Sequence, residues 1–231
     1  MEVLLQLIKA KYPNDAYICK LDEALHVSTQ ARAIFRAYDK ALDCLDQSSW
    51  EILSQKAIDH FFDHRSGQLK QGFYNQLNEA FAYKFLLRQG YSHVSILREN
   101  GKTTPDLSYC CGTEIRYCEV KSIGISEEEI DRLDAGDVFN GSVYFDLSAG
   151  FMRKLDADIK LGYKQIASKG TEGIVFIVAN LDDFTLTHYE RYRMQIAEHL
   201  SKVENPEVYV MVGLLGGRKI HHRVKKSQGT S

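Results

Sequence analysis

Two apolar runs near the C-terminal end limit the folds open to this chain. Gly173 to Ala179 (GIVFIVA) and Val208 to Leu214 (VYVMVGL) contain no charged side chain, and the first is rich in β-branched residues. Both have strand length and read as strands buried on both faces. Between them, His188 to Val203 reads as a helix. Strands covered above and below require helical layers, which places the chain in the α/β class.

The upstream pattern completes the sheet. Ser148 to Ser168 reads as a helix with Phe151, Leu155, Ile159, Tyr163 and Ile166 on one face. Three strands precede it, over His93 to Arg98, Asp106 to Cys111 and Glu114 to Ser122, with turns at Glu99 to Lys102 and at Gly112-Thr113. Ser126 to Glu129 begins a short acidic helix with a capping box, and a loop follows at about 136–141. The N-terminal third is helical. Glu2 to Lys11 is closed by Pro13. A helix capped by Ser28 or Thr29 runs to about Leu45, and one capped by Ser48 or Ser49 runs through Phe61. Arg65-Ser66-Gly67 breaks the pattern before a longer helix from about Gln68 to Arg88, which Gly90 stops. Gly216-Gly217 permits a tight turn into Lys219 to Val224. The expectation is a mixed central sheet flanked by helices, with an α-β-β-β-α-β core over 67–226, a helical region over 1–66 and a flexible tail over 227–231.

Chemistry concentrates in Pro105-Asp106 and Glu119-Val120-Lys121. If Gly112-Thr113 is a two-residue hairpin loop, Cys111 faces Glu114 and Asp106 falls opposite Glu119. Directly opposed residues hold their Cβ atoms about 4.5–5.5 Å apart on one face. Lys121, two residues beyond Glu119, shares that face. Two carboxylates this close repel unless a cation lies between them. Oxygen ligands with open positions suit Mg²⁺ or Mn²⁺, and a neighbouring lysine can hold a water or stabilise charge on phosphorus. The same three residues also fit a solvated Asp–Lys–Glu ladder on an exposed sheet face.

With its surroundings, the segment resembles the PD-(D/E)XK nuclease superfamily, the restriction-endonuclease-like fold. The helix Phe73-Tyr74-Asn75-Gln76-Leu77-Asn78-Glu79-Ala80-Phe81 supplies a glutamate, Gln89-Gly90-Tyr91 leads into the first strand, and Pro-Asp is followed one strand later by Glu-X-Lys. The likeness spans about Gly72 to Leu214. It implies Asp106 and Glu119 as metal-binding carboxylates, the Val120 carbonyl as a backbone ligand and Lys121 as the catalytic lysine. Glu79 resembles the helix glutamate that completes the metal site directly or through water, and otherwise reads as a solvated helix residue. Lys160, Lys164 and Gln165 match the helix position that bears a nucleic-acid-contacting lysine or glutamine. The implied activity is a divalent-metal-dependent DNA endonuclease of restriction, repair or mobile-element type, using Mg²⁺ or Mn²⁺. The implied partners are double-stranded or branched DNA, a second copy of the chain, and a protein docking on the helical region. The alternatives are a non-cleaving module that binds nucleic acid or protein on the same fold, and a subunit of a larger defence or repair complex.

Composition narrows the remaining classes. The net charge of -2 argues against a polycationic nucleic-acid coat, though not against a local basic groove. No apolar run approaches the ~20 residues of a membrane span. Met1-Glu2-Val3 opens an amphipathic stretch and not a leader, so a cytoplasmic protein with reduced thiols is expected. Cys110, Cys111 and Cys118 lack paired metal spacing and read as small apolar strand residues. His60 and His64 share a helix face, and His221-His222 lies in a basic segment. Their simplest roles are a surface pair and a solvated tail. No glycine-rich phosphate loop or nucleophile elbow is present.

Overall fold

The computed structural model describes residues 1–63, 70–99, 104–124, 145–180, 185–203, 207–213 and 218–222. The break at 65–67, His64, most of the turn at 99–102, the acidic helix start at Ser126, the loop at 136–141, Gly216-Gly217 and the tail at 227–231 lie outside them.

Five helices come first: α1 (Glu2–Lys11), α2 (Ala16–Val27), α3 (Thr29–Leu42), α4 (Gln47–Asp59) and α5 (Gln71–Arg88). Sequence periodicity passes over α2. Its start is set by Asp15, whose side chain accepts from the Tyr17 and Ile18 N–H groups. Ser28 caps α3 as expected, accepting from Ala31 N–H. The cap of α4 is Asp46 and neither Ser48 nor Ser49. Asp46 accepts from Ser49 N–H at 2.7 Å, which frees the Ser49 hydroxyl to accept from Ile96 N–H at 3.1 Å and tie α4 to the sheet.

A mixed sheet follows in the order β1-β2-β3-β4-β5-β6, comprising β1 (Ser92–Ile96), β2 (Leu107–Cys111), β3 (Glu114–Ile123), β4 (Gly173–Ala179), β5 (Glu207–Val212) and β6 (Arg218–His222). β1–β2, β2–β3 and β5–β6 are antiparallel, while β3–β4 and β4–β5 are parallel. The parallel steps cross over through α6 (Ala149–Ala167) and α7 (Tyr189–Leu200). Successive crossovers of one hand in one direction put both helices on one face. Accordingly, Leu155, Ile159, Ile166, Ile196 and Leu200 bury against Val175, Ile177, Val208 and Val210. β1 ends at Ile96, before the expected Arg98, and near its start the register shifts between Ser92 and Ser95, where His93 has a positive φ of 49°.

The opposite face carries the helical region. Leu4, Ile8, Phe35, Tyr38, Leu53, Phe61, Phe73, Leu77 and Phe85 form one core with Val120, Ile174, Phe176, Tyr209 and Met211. Each such buried side chain contributes about 1.5–3 kcal/mol of transfer free energy. A buried polar link crosses this layer. Tyr38 donates its hydroxyl to Asn78 Oδ1 at 3.0 Å, and Asn78 Nδ2 donates to Ser122 Oγ at 2.8 Å. The link ends on the residue after Lys121.

Candidate active site

The β2–β3 hairpin sets the site. Gly112, at a φ of +64°, supplies the left-handed turn position that few other residues adopt cheaply. Cys111 then faces Glu114, and the register continues to Leu107 facing Cys118. Asp106 is the residue just before Leu107, and Glu119 the one just after Cys118, so the register leads up to this pair. There β2 ends, whereas β3 continues beside β4 as far as Ile123 facing Ala179. The upper part of β3 is therefore notched along its β2 side. Leu97 N–H donates to the Asp106 carbonyl at 2.8 Å and holds the bend. The Asp106 carboxylate enters the notch, and its Oδ2 accepts from Val120 N–H at 2.7 Å. The N–H and C=O of one strand residue point to the same edge, so the Val120 carbonyl is directed into this notch as well.

Glu119 and Lys121 project from the α6 face of β3. Lys121 Nζ lies 2.7 Å from Glu119 Oε1 and donates to Gln165 Oε1 at 2.9 Å. Gly162 allows this approach of α6. A Cβ there would stand 3.1 Å from Val175 Cγ1 and 3.3 Å from Glu119 Cγ. Glu119 is 2% exposed, and its second oxygen, Oε2, is buried without a hydrogen-bond partner. Burial, followed by the charge of Asp106, raises the Glu119 carboxyl to about 8 against the pull of Lys121. Burial also raises Asp106, opposed by Lys56, the Val120 N–H and Lys121.

Glu79 reaches the cluster from α5. It is 3% exposed, which excludes the solvated-helix alternative for this residue. Burial and Asp106 hold its carboxyl well above the ordinary range, with Lys56 opposing them. Lys56 is a component the sequence reading missed. Its ammonium comes from α4, 2.5 Å from Glu79 Oε1, 3.7 Å from Glu99 Oε1 and 3.8 Å from Asp106 Oδ1. Burial works against the Lys56 charge, but Glu79, Asp106 and Glu99 together raise its pKa. The available signal was position: Lys56 falls on the stripe of Leu53 and Ala57, both fully buried. An ammonium within an apolar stripe needs a carboxylate partner.

The remaining candidates separate clearly. Of the three α6 residues, Gln165 joins the cluster, while Lys160 and Lys164 are solvent-exposed. His60 pairs with Asp63 at 2.5 Å. The five cysteines are free, and Cys118 is buried in the core. Among the described residues, no three His, Cys, Asp or Glu side chains form a ligand group. The oxygens on offer are the carboxylates of Asp106 and Glu119 and the Val120 carbonyl, and Glu79 Oε2 is likewise buried without a hydrogen-bond partner. An unpartnered buried Glu119 Oε2 beside Asp106 fits a hard divalent cation that takes its other ligands from water and substrate. Among the described residues, no helix is long and apolar enough to cross a membrane. Compared with known proteins, the chain matches no family model, no curated protein and no solved structure.

Proposed function

We propose that the protein is a divalent-metal-dependent DNA endonuclease that hydrolyses phosphodiester bonds on a restriction-endonuclease-like core. One observation carries this reading: Asp106, Glu119 and Lys121 meet at the notch of β3, with Glu119 Oε2 buried and unpartnered beside them. The order of α5, β1–β3, α6 and β4, with the two helices on opposite faces, supports the resemblance to the PD-(D/E)XK superfamily.

Asp106, Glu119 and the Val120 carbonyl would hold Mg²⁺ or Mn²⁺. The ion supplies charge neutralisation at the scissile phosphate and lowers the pKa of a bound water. Lys121, fixed between Glu119 and Gln165, orients the attacking water and donates to the phosphate oxygen as negative charge develops. Its two carbonyl-type acceptors leave one ammonium proton for that task. The Asp106 contact to Val120 N–H keeps the carboxylate aimed along the notch. Lys160 and Lys164, exposed on α6, offer charge to flanking phosphates.

The test is cleavage of plasmid, linear and branched DNA with Mg²⁺, Mn²⁺ or chelator. Asp106→Asn should reduce cleavage by about 10²–10³-fold or more while DNA binding persists. Lys121→Ala should stop cleavage and retain Mn²⁺ binding. Wild-type cleavage rates in a folded Asp106→Asn protein would rule the mechanism out. Salt-sensitive DNA binding without cleavage would favour a binding module, and a stable co-purifying subunit would favour a larger complex.

A further inference from the structure

The site holds two ammonium groups, and they occupy different places. Lys121 lies on the α6 side of the sheet, against Glu119 Oε1 and Gln165. Lys56 lies on the α4–α5 side, surrounded by Glu79 Oε1, Glu99 Oε1 and Asp106 Oδ1. Asp106 stands between them at the end of β2, and its two oxygens are divided. Oδ2 turns to Val120 N–H and the notch, and Oδ1 turns to Lys56.

Glu79 from α5 and Glu99 and Asp106 from the β1–β2 connection thus all lie within 4 Å of one ammonium. Without that ammonium, such like charges would repel unless a cation came between them, as at the second position of a two-metal site. Here the point is taken by the Lys56 Nζ. The ammonium is covalently supplied, carries one positive charge, and is 8% exposed together with a 4% exposed Glu79 partner. A hydrated divalent ion cannot enter while it is there.

We infer that Lys56 is a built-in substitute for a second metal ion, so the site takes one divalent cation, and that Glu79 acts by holding Lys56 and not as a metal ligand. This rests on the nuclease reading of the same notch and deepens it. It assigns the N-terminal helical region a positioning residue within the reaction centre. It also separates the carboxylate oxygens by role: Glu119 and Asp106 Oδ2 face the ion, and Asp106 Oδ1, Glu79 Oε1 and Glu99 Oε1 face the lysine.

The experiment is calorimetric Mn²⁺ titration of the whole 231-residue chain, with electron paramagnetic resonance counting bound ions. The wild type should bind one Mn²⁺, and Glu119→Gln should abolish that binding. Glu79→Gln is nearly isosteric and leaves Lys56 in place, so Mn²⁺ affinity should change by no more than about twofold. Removing a group that holds the ion, or that directly orients one of its ligands, would cost about tenfold or more. Lys56→Ala opens the second position and should bind two Mn²⁺, with a larger Mn²⁺-induced rise in melting temperature than the wild type. Lys56→Ala/Glu79→Gln removes the unpaired buried carboxylate and should return to one. Two ions in the wild type, or a tenfold affinity loss in Glu79→Gln, would overturn the inference while leaving the nuclease reading intact. A folded Lys56→Ala protein that still binds one ion would overturn it too. If Lys56→Ala does not fold, the wild-type count and the Glu79→Gln affinity decide the matter alone. No Mn²⁺ binding by the wild type would instead remove the metal-site reading on which the inference stands.

Discussion

At the scale of single residues, Glu119 faces opposed demands. It is nearly sealed from water, close to another carboxylate, and touched by one ammonium. Its folded pKa of about 8 stands above the ordinary 4.5. Between those values the folded chain binds more protons than the unfolded one. This stability is complete below about 4.5 and is lost as pH rises towards 8. Glu79 and Asp106 shift in the same direction. The melting temperature of the metal-free protein should therefore fall from about pH 5 to about pH 8, and Glu119→Gln should flatten the decline. A rise across that window, followed by scanning calorimetry in chelator, would contradict the assignment. Bound Mn²⁺ competes with the same proton, so its affinity should climb over the window. Glu119 and Lys121 were readable as neighbours because strand alternation puts them on one face, and hairpin loop length carries the pairing as far as Leu107 and Cys118, one residue short of Asp106 and Glu119. The place of Lys56 on an apolar stripe calls for a carboxylate partner, but nothing local says which one, since Glu79 is 23 residues away on another helix.

At the scale of elements, α6 fits closely against β3 and β4. Gly162 is the contact point, and any larger residue meets Val175 and the Glu119 stem. Gly162→Val should destabilise the fold by about 1–3 kcal/mol through overpacking, measured by urea unfolding. It should also displace Gln165 from Lys121, lowering cleavage beyond what stability alone explains. An unchanged midpoint would show that α6 has room to yield. Long periodic segments such as α1, α6 and β4 were legible to within a residue or so, because burial pattern and caps agree. The start of α2 depends on one aspartate cap, and the register shift near the start of β1 on a positive φ at His93. Neither leaves a repeating signal in the sequence. For α4 the cap lay in plain view at Asp46, but two serines with the same local chemistry stood closer to the apolar run.

At the scale of the whole molecule, the helical region and one sheet face share a continuous core. Removing residues 1–63 would uncover Phe73, Leu77 and Phe81 on α5 and take Lys56 from the site. The remaining fragment should be insoluble, or lack a cooperative melt by circular dichroism. A soluble, cooperatively folded fragment would show that the helical layer is separable. The split origin of the charged cluster bears on kinetics as well. Lys56, Glu79, Asp106, Glu119 and Gln165 come from α4, α5, the start of β2, β3 and α6, and Glu119 loses its water only once the α6 crossover has seated β4 beside β3. Parallel pairing across a crossover is among the slower contacts a chain makes. The crowding of charge is therefore expected to form late, with that pairing. At about pH 9, where Glu119 is ionised, Glu119→Gln should leave the refolding limb of the chevron nearly unmoved and slow the unfolding limb. The half-finished chain carries the acidic residues still dispersed in solvent, and only the completed one gathers them around its two lysines.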